Sequence, residues 1–277
     1  MSEDRYAVVG HPIAHSRSPR IHALFAEQTG QALRYERLLA PLDGFVATVT
    51  GFAAAGGRGL NVTVPFKIEA FELARAHTAQ AAAAGAVNTL RHEDGDWFGD
   101  NTDGVGLVRD IEGRIAYPLA GRRVLMLGAG GAARGVILPL LQAGVDTVFV
   151  LNRRHARAVE LAGRFDRQRV VAITPDQAPD VHVVINATSA GLQAQAPDLP
   201  ARCLTHAELA YEMVYGPVPT RFMALASQAA CPRVHDGLGM LVEQAAESFH
   251  LWRGVRPLTV PVYALLRAEV DATVAAP

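Results

Sequence analysis

Apolar residues along this chain come in short runs separated by stretches with helical spacing. Tyr6–Gly10 is a strand candidate. Ser18-Pro19 then opens a helix that runs to Gly30. Serine suits the N-cap, proline the first helical position and glycine the stop. Leu33–Ala40 reads as a second strand, Asp43 begins another helix, and Leu60–Val64 alternates as a third strand that Pro65 ends. Ala86–Thr89 and Asp96–Thr102 predict a hairpin around Asp94-Gly95. A helical stretch runs from Thr102 to about Arg114, and Tyr117–Arg123 connects to a new region. From Val124 to about Ala230 the pattern is strand, glycine loop, helix, strand, then strand, strand and helix, the signature of a parallel sheet covered by helices. Gly237–Gly254 and Pro261–Val274 close the chain as two helices. The expected fold class is therefore α/β, with a dinucleotide-binding unit of the Rossmann type beside a second α/β unit.

Composition narrows the field. With 277 residues the chain can hold two cored domains, and 50% hydrophobic with 19% charged residues is ordinary for a globular protein. A net charge of -1 offers no basic surface for nucleic acid or an anionic membrane. The most apolar region, Val124–Leu151, is interrupted by Arg134 and Asp146 and rich in glycine. It reads as buried strand–helix–strand rather than a membrane span, which needs roughly 20 nearly uncharged residues. The N-terminus, MSEDRYAVVG, lacks the basic-then-apolar layout of a signal peptide, and Cys203 and Cys231 form no CxxC. The expectation is a cytoplasmic protein. His11 and His15 are four apart, but Pro12 argues against the helix that would align them as ligands, so no metal is expected.

Val124–Leu127 leads into Gly128-Ala129-Gly130-Gly131-Ala132-Ala133, a G-x-G-x-x-A version of the dinucleotide fingerprint between a strand and a helix. Glycines let a pyrophosphate approach the backbone, and the helix N-terminus supplies free N–H groups. A tight strand–helix turn without ligand is the bland alternative. Pro139, inside the following helix, predicts a kink at Gly135. The next strand, Asp146–Leu151, ends in Asn152-Arg153-Arg154-His155-Ala156-Arg157. NAD enzymes usually place an acid here for the ribose 2′-hydroxyl. This chain instead puts three arginines where positive charge opposes the helix dipole. A docked 2′-phosphate would relieve that cost, so NADP(H) is the expected cofactor; the competing view is a solvated basic helix start.

In the other half, Ser16 and Ser18 bracket a helix start suited to a carboxylate, or simply cap it. Asn61, Thr63 and Pro65 share one face of their strand, with Lys67 on the following turn; alone, that lysine reads as a surface residue. Asn88-Thr89 and Gly99-Asp100-Asn101-Thr102-Asp103-Gly104 form a second polar cluster, which also suits a turn and helix cap. Gln244 interrupts a largely apolar helical stretch.

The segments HSRSP, NVTVPFK, GAVNT, GDNTDG, GAGGAARG, NRR, INATSAG, YEMVYGP and DGLGMLVEQA, in this order and spread over nearly the whole chain, resemble the shikimate dehydrogenase family. The resemblance implies NADPH-dependent reduction of 3-dehydroshikimate to shikimate, on the route to aromatic amino acids. It implies that Ser16, Ser18 and Tyr215 hold the substrate carboxylate, and that Asn61, Thr63, Asn88, Asp103 and Gln244 hold the ring hydroxyls. Lys67 would donate and accept the proton, paired with Asp103. Gly128, Ala129, Gly130, Gly131 and Ala132 would cradle the pyrophosphate, Asn152, Arg153, Arg154 and Arg157 would face the 2′-phosphate, and Met213 and Gly237 would lie along the nicotinamide. It also implies a discontinuous substrate domain, 1–103 with returning helices at 237–277, around a nucleotide domain at 104–236, and closure of the cleft between them. Glu212, where aspartate is common, Arg154, where threonine is frequent, and Ala79, where many relatives carry an acid, depart from the pattern. A quinate/shikimate dehydrogenase using NAD, a non-catalytic ligand sensor and a folate-type dehydrogenase are the rival readings. The partner expected is a small-molecule substrate; oligomeric state stays open, a homodimer included.

Overall fold

The computed structural model describes residues 3–188, 199–200 and 202–275. The Ser189–Gly191 end of the INATSAG segment lies outside the described residues. Two six-stranded sheets carry the architecture. The first comprises β1 (Asp4–Gly10), β2 (Leu33–Leu39), β3 (Gly57–Val62), β4 (Ala76–His77), β5 (Thr89–Glu93) and β6 (Asp96–Asp100), in the order β2-β1-β3-β5-β6-β4. β2, β1 and β3 run parallel, whereas β5 is antiparallel to both β3 and β6. The second comprises β7 (Arg123–Leu127), β8 (Thr147–Leu151), β9 (Val170–Ile173), β10 (Val183–Asn186), β11 (Leu209–Glu212) and β12 (Val234–His235). Its order, β12-β11-β10-β7-β8-β9, is all parallel and reproduces the doubly wound arrangement, with the switch point between β7 and β10. The protein is α/β, as its sequence pattern implies.

Eleven α-helices cover the sheets among the described residues: α1 (Ser18–Thr29), α2 (Phe45–Ala54), α3 (Lys67–Leu73), α4 (Ala79–Ala84), α5 (Asp103–Arg109), α6 (Gly131–Gln142), α7 (His155–Ala162), α8 (Arg202–Thr205), α9 (Arg221–Gln228), α10 (Leu238–Arg253) and α11 (Thr259–Ala275). No described helix is long and apolar enough to cross a membrane. α10 returns to the first sheet, where the Trp252 indole donates to Leu90 O, and its Val242 and Phe249 share a core with Leu266 of α11 and Ile21 and Phe25 of α1. At Asp94-Gly95 both residues have positive φ, 52° and 86°, as a two-residue hairpin turn requires.

Several boundaries differ from the sequence reading. Helix α1 has Arg17 at its N-cap, with Ser18 and Pro19 as its first two residues; Ser16 Oγ instead accepts from the Ser18 N–H at 3.3 Å. β3 stops at Val62 because pairing with β5 ends at Asn61–Thr89. The edge toward β1 continues, with Thr63 N–H donating to Val9 O and His11 N–H to Val64 O, so the chain peels off one side and leaves Val64 69% exposed. The stretch after Thr102 changes character at Asp110: residues 110–114 form a π turn, with Ile115 N–H donating to Asp110 O, five residues back. Short elements β4, α4 and β12 carry too few residues to show a period.

Three glycines let α5 sit against its neighbours. A Cβ on Gly104 would stand 2.4 Å from Pro139 Cγ and 2.5 Å from Gly135 O of α6. One on Gly106 would meet the Gln244 backbone N–H group of α10 at 2.7 Å, and one on Gly239 would overlap the buried Asp110 carboxylate. Pro139 thus forms part of a packing surface for α5, a role that the kink expectation did not include. Helix α6 runs unbroken through it.

Candidate active site

A cavity of about 480 Å³ is lined from both halves of the molecule. β3 contributes Asn61, the segment after it Thr63 and α3 Lys67, Asn88 comes just before β5, Ser16 and Ser18 lie just before and at the start of α1, and α5 contributes Asp103. Tyr215 follows β11, and Gln244 projects from α10. All nine residues expected to meet substrate therefore line one space. Of those expected along the cofactor, Ala132, Met213 and Gly237 line it too.

Lys67 is the first residue of α3. Buried Phe66 stacks on Phe45 just before it, and Val87 N–H donates to the Lys67 carbonyl, fixing the backbone on both sides. Asp103 is the first residue of α5, where a carboxylate is favoured by the helix dipole. Lys67 Nζ donates to Asp103 Oδ2 at 2.5 Å, and the side chains keep only 19% and 10% of their exposure. The other carboxylate oxygen accepts from Asn88 Nδ2 at 2.7 Å, while Asn88 Oδ1 accepts from the Thr102 N–H at 2.8 Å. Asn61 is held equally firmly: its Nδ2 donates to Ser248 Oγ at 2.9 Å and its Oδ1 accepts from Tyr35 OH at 2.7 Å. Thr89, Thr102 and Ser248 complete a buried hydroxyl cluster beneath these amides. A single isolated pair would leave the amide and carboxylate groups free to turn; this web fixes them before any ligand arrives.

Sequence reasoning did not single out His15 or Arg17 as ligand residues, although both line the cavity within the HSRSP segment. Arg17 lies 3.6 Å from Glu269 of α11, and its charge opposes the upward pull that burial exerts on the Tyr215 hydroxyl pKa. The signal was present: an arginine between two serines at a proposed carboxylate site. Tyr35 and Ser248 were beyond reach, lying 26 and 187 positions from Asn61 with no local pattern to join them.

On the nucleotide side, Gly128 has φ of 103° and its N–H donates to Leu151 O at 2.8 Å, so the glycine loop turns over the ends of β7 and β8. A Cβ on Gly128 would come within 3.2 Å of Ala187 O, whereas Gly130 and Gly131 face open space. Among the described residues no side chain caps the α6 N-terminus, which begins at Gly131. Ala129 is buried behind the loop. Asn152 Nδ2 donates to Arg154 O at 2.9 Å and shapes the turn into α7. Arg153, Arg154 and Arg157 are exposed and form no ion pair among the described residues. The nearby Arg134 does, with Glu160 at 3.1 Å. The three exposed arginines follow β8 at the start of α7 and do not line the cavity. An uncapped helix start, room at two glycines and three unneutralised guanidinium groups together suit a dinucleotide bearing an extra phosphate. Among the described residues no group of three or more His, Cys, Asp or Glu side chains could hold a metal ion.

Comparison with known proteins agrees with this geometry. Residues 8–90 match the family model for the shikimate dehydrogenase substrate binding domain, residues 110–203 that for shikimate / quinate 5-dehydrogenase, and residues 237–267 that for the shikimate 5'-dehydrogenase C-terminal domain. The shikimate dehydrogenase (NADP(+)) of Herminiimonas arsenicoxydans is 55% identical over 269 residues, covering 96% of this chain and 98% of that protein. This chain belongs to the shikimate dehydrogenase family. The crystal structure of an Ael1 enzyme from Pseudomonas putida matches with a TM-score of 0.90 at 47% identity, covering 95% of this chain and 98% of that one. Shikimate 5-dehydrogenase from Thermus thermophilus, solved in complex with NADP(H) and shikimate, matches with a TM-score of 0.86 at 35% identity over 96% and 99% of the two chains.

Proposed function

We propose that this chain catalyses the reversible NADPH-dependent reduction of 3-dehydroshikimate to shikimate, an oxidoreductase step of aromatic amino-acid biosynthesis. The observation that carries the reading is the Lys67–Asp103 pair, 2.5 Å apart and lining a cavity whose other polar side chains are mostly amides and hydroxyls. NADPH, when bound, supplies a hydride to the ketone carbon. Negative charge then grows on the ketone oxygen, and the Lys67 ammonium is the donor suited to protonate it. Asp103 holds that ammonium in place while Asn88 occupies its other oxygen. In the oxidative direction neutral Lys67 takes the hydroxyl proton. Asn61, Thr63, Asn88 and Gln244 offer hydrogen bonds to ring hydroxyls, and Ser16, Ser18 and Tyr215 to the carboxylate. Arg153, Arg154, Arg157 and Asn152 hold the 2′-phosphate, Gly128, Ala129, Gly130, Gly131 and Ala132 the pyrophosphate, and Met213 and Gly237 the nicotinamide. The exposed guanidinium groups and uncapped helix start support those roles.

The same reading divides the chain into a substrate-binding part, 1–103 with 237–277, and an NADP-binding part, 104–236. Bonds from Asn88 Nδ2 to Gln244 Oε1 and from Trp252 Nε1 to Leu90 O support the return of the C-terminal helices to the first part. Two buried, unpaired cysteines fit a cytoplasmic enzyme. Steady-state assays with shikimate and either NADP+ or NAD+, followed by cofactor absorbance, test the reading. Turnover of shikimate with a clear NADP+ preference is expected. Absence of turnover with either cofactor would refute it, and quinate with NAD+ in the same assay separates the quinate-using alternative.

A further inference from the structure

Glu212, at the end of β11, is fully buried, yet the reaction as derived does not use it. Burial pushes its carboxyl pKa up, and side-chain and backbone donors converge on it. Oε2 accepts from Asn186 Nδ2 at 2.8 Å and from Thr220 Oγ1 at 2.9 Å, and Oε1 accepts from the Val214 N–H at 3.2 Å. Asn186 ends the neighbouring strand β10, and its own Oδ1 accepts from Thr188 N–H and Oγ1 at 3.2 and 2.8 Å. One carboxylate thus reaches two loops at the carboxyl edge of the parallel sheet. The loop after β10 gives Ala187 and Thr188 to the cavity, and the loop after β11 gives Met213, Val214 and Tyr215. The linkage extends further on both flanks. Val214 O accepts from Gly237 N–H at the start of α10, and Ala187 O packs within 3.2 Å of where a Cβ on Gly128 would stand.

Resting on the reading of the chain as an NADP-dependent dehydrogenase, we infer that Glu212 is a positioning residue that locks Ala187-Thr188 after β10 to the loop after β11 and so sets the wall against which the nicotinamide ring lies. A carboxylate fits this task because it only accepts, and all three neighbours donate. An amide in its place turns an NH2 toward at least one of those donors, whichever way it is oriented. A slack wall lets the ring move relative to Lys67 and the ketone, and sub-ångström to ångström misplacement is costly for a hydride step.

The test is Glu212→Gln, assayed in full-length enzyme beside wild type. Amide hydrogen exchange without ligands should speed up about tenfold or more at Thr188 and Val214, but not at Thr102 or Asp103. NADPH titration by fluorescence should show weaker binding. The kcat should fall about ten- to a hundredfold, the isotope effect with NADPH deuterated at the transferred position should rise, and KM for shikimate should move little. Glu212→Asp, which keeps the charge, should recover part of each change. Unchanged exchange at Thr188 with unchanged NADPH affinity and isotope effect would overturn the inference, whatever happens to thermal stability. If Glu212→Gln does not fold, Asn186→Ala cuts the link from Glu212 to Thr188 and must give the same exchange and cofactor pattern. Wild-type turnover of shikimate is read in the same assays, so failure of the functional reading is distinguished from failure of this inference.

Discussion

Within the cavity, Asn61, Asn88, Lys67 and Asp103 are each already bonded to another protein group; beyond it, on the proposed nucleotide side, Arg153, Arg154 and Arg157 stand in solvent with no carboxylate partner among the described residues. The contrast fits what the proposed function asks of each side. Hydroxyls of a small ring are told apart by direction, so their partners gain from being fixed in advance. A phosphate is recognised by charge, and cations left unneutralised keep their full attraction for it. The substrate side is therefore costly to disturb through geometry, and the nucleotide side through charge.

The most severe break of this contrast is Lys67→Ala. It should lower kcat by about 10²-fold or more, the scale of general acid–base catalysis, with a smaller change in KM for shikimate; near-normal kcat in steady-state assays would remove Lys67 from the mechanism. Next is Arg153→Gln combined with Arg157→Gln. Losing charge-assisted bonds of about 1.5–3 kcal/mol should raise KM for NADP+ about 10- to 100-fold, leave KM for NAD+ almost alone and flatten the salt dependence of kcat/KM. An unaltered NADP+/NAD+ ratio would count against the phosphate site. Arg17→Gln sharpens the comparison, because it is a cation on the geometry-dominated side. Being partly exposed and shared with Glu269, it should raise KM for shikimate by about tenfold or less, and that rise should shrink as salt is added. A rise that ignores ionic strength would mean that Arg17 acts through packing.

The smallest effect at neutral pH belongs to His22 beneath the substrate side. It is fully buried, stacked on Tyr35 with ring centroids 4.1 Å apart, and neither ring nitrogen reaches a partner in hydrogen-bonding geometry among the described residues. Burial lowers its pKa from 6.5 to about 3, with the Asn61 side chain pulling weakly the other way. The unfolded chain therefore takes up a proton that the folded one refuses. Stability from this group is intact above pH 6.5 and is lost as pH falls toward 3, at about 1.4 kcal/mol per pH unit. In urea unfolding series, His22→Leu should show a shallower loss of stability below pH 6.5 than wild type. Parallel slopes would show that His22 is not the group responsible.

Much of this was legible in the sequence because it is local. The glycine loop, the hairpin at Asp94-Gly95 and the helix bounded by Gly237 and Gly254 depend on a few adjacent residues whose backbone preferences agree with the fold. The polar positions of the cavity were legible only as motifs. What escaped was non-local. Alternation carried the third strand to Val64, but only one neighbour continued pairing that far. Ser18 looked like a cap, but the helix starts with it. Pro139 looked like a defect, and its use as a seat for Gly104 depends on a helix thirty-five positions earlier. Arg17 was hidden by its own neighbours, since two serines drew the carboxylate reading away from the charge between them.

The bonds that α10 makes to the first sheet also bear on the order in which the molecule is completed. As the chain leaves the ribosome, the parallel sheet from β7 to β12 emerges as one continuous stretch and can bury most of its core before α10 adds Met240. The first sheet appears earlier but lacks Ser248 for Asn61, Gln244 for Asn88 and the Trp252 indole for Leu90 O until α10 follows. The older half therefore completes these bonds only after the younger has been made, although Asn61 and Asn88 already have partners of their own in Tyr35, Thr89 and Asp103. Shortening the chain before Gln244 should leave a folded nucleotide half attached to an unfinished substrate half.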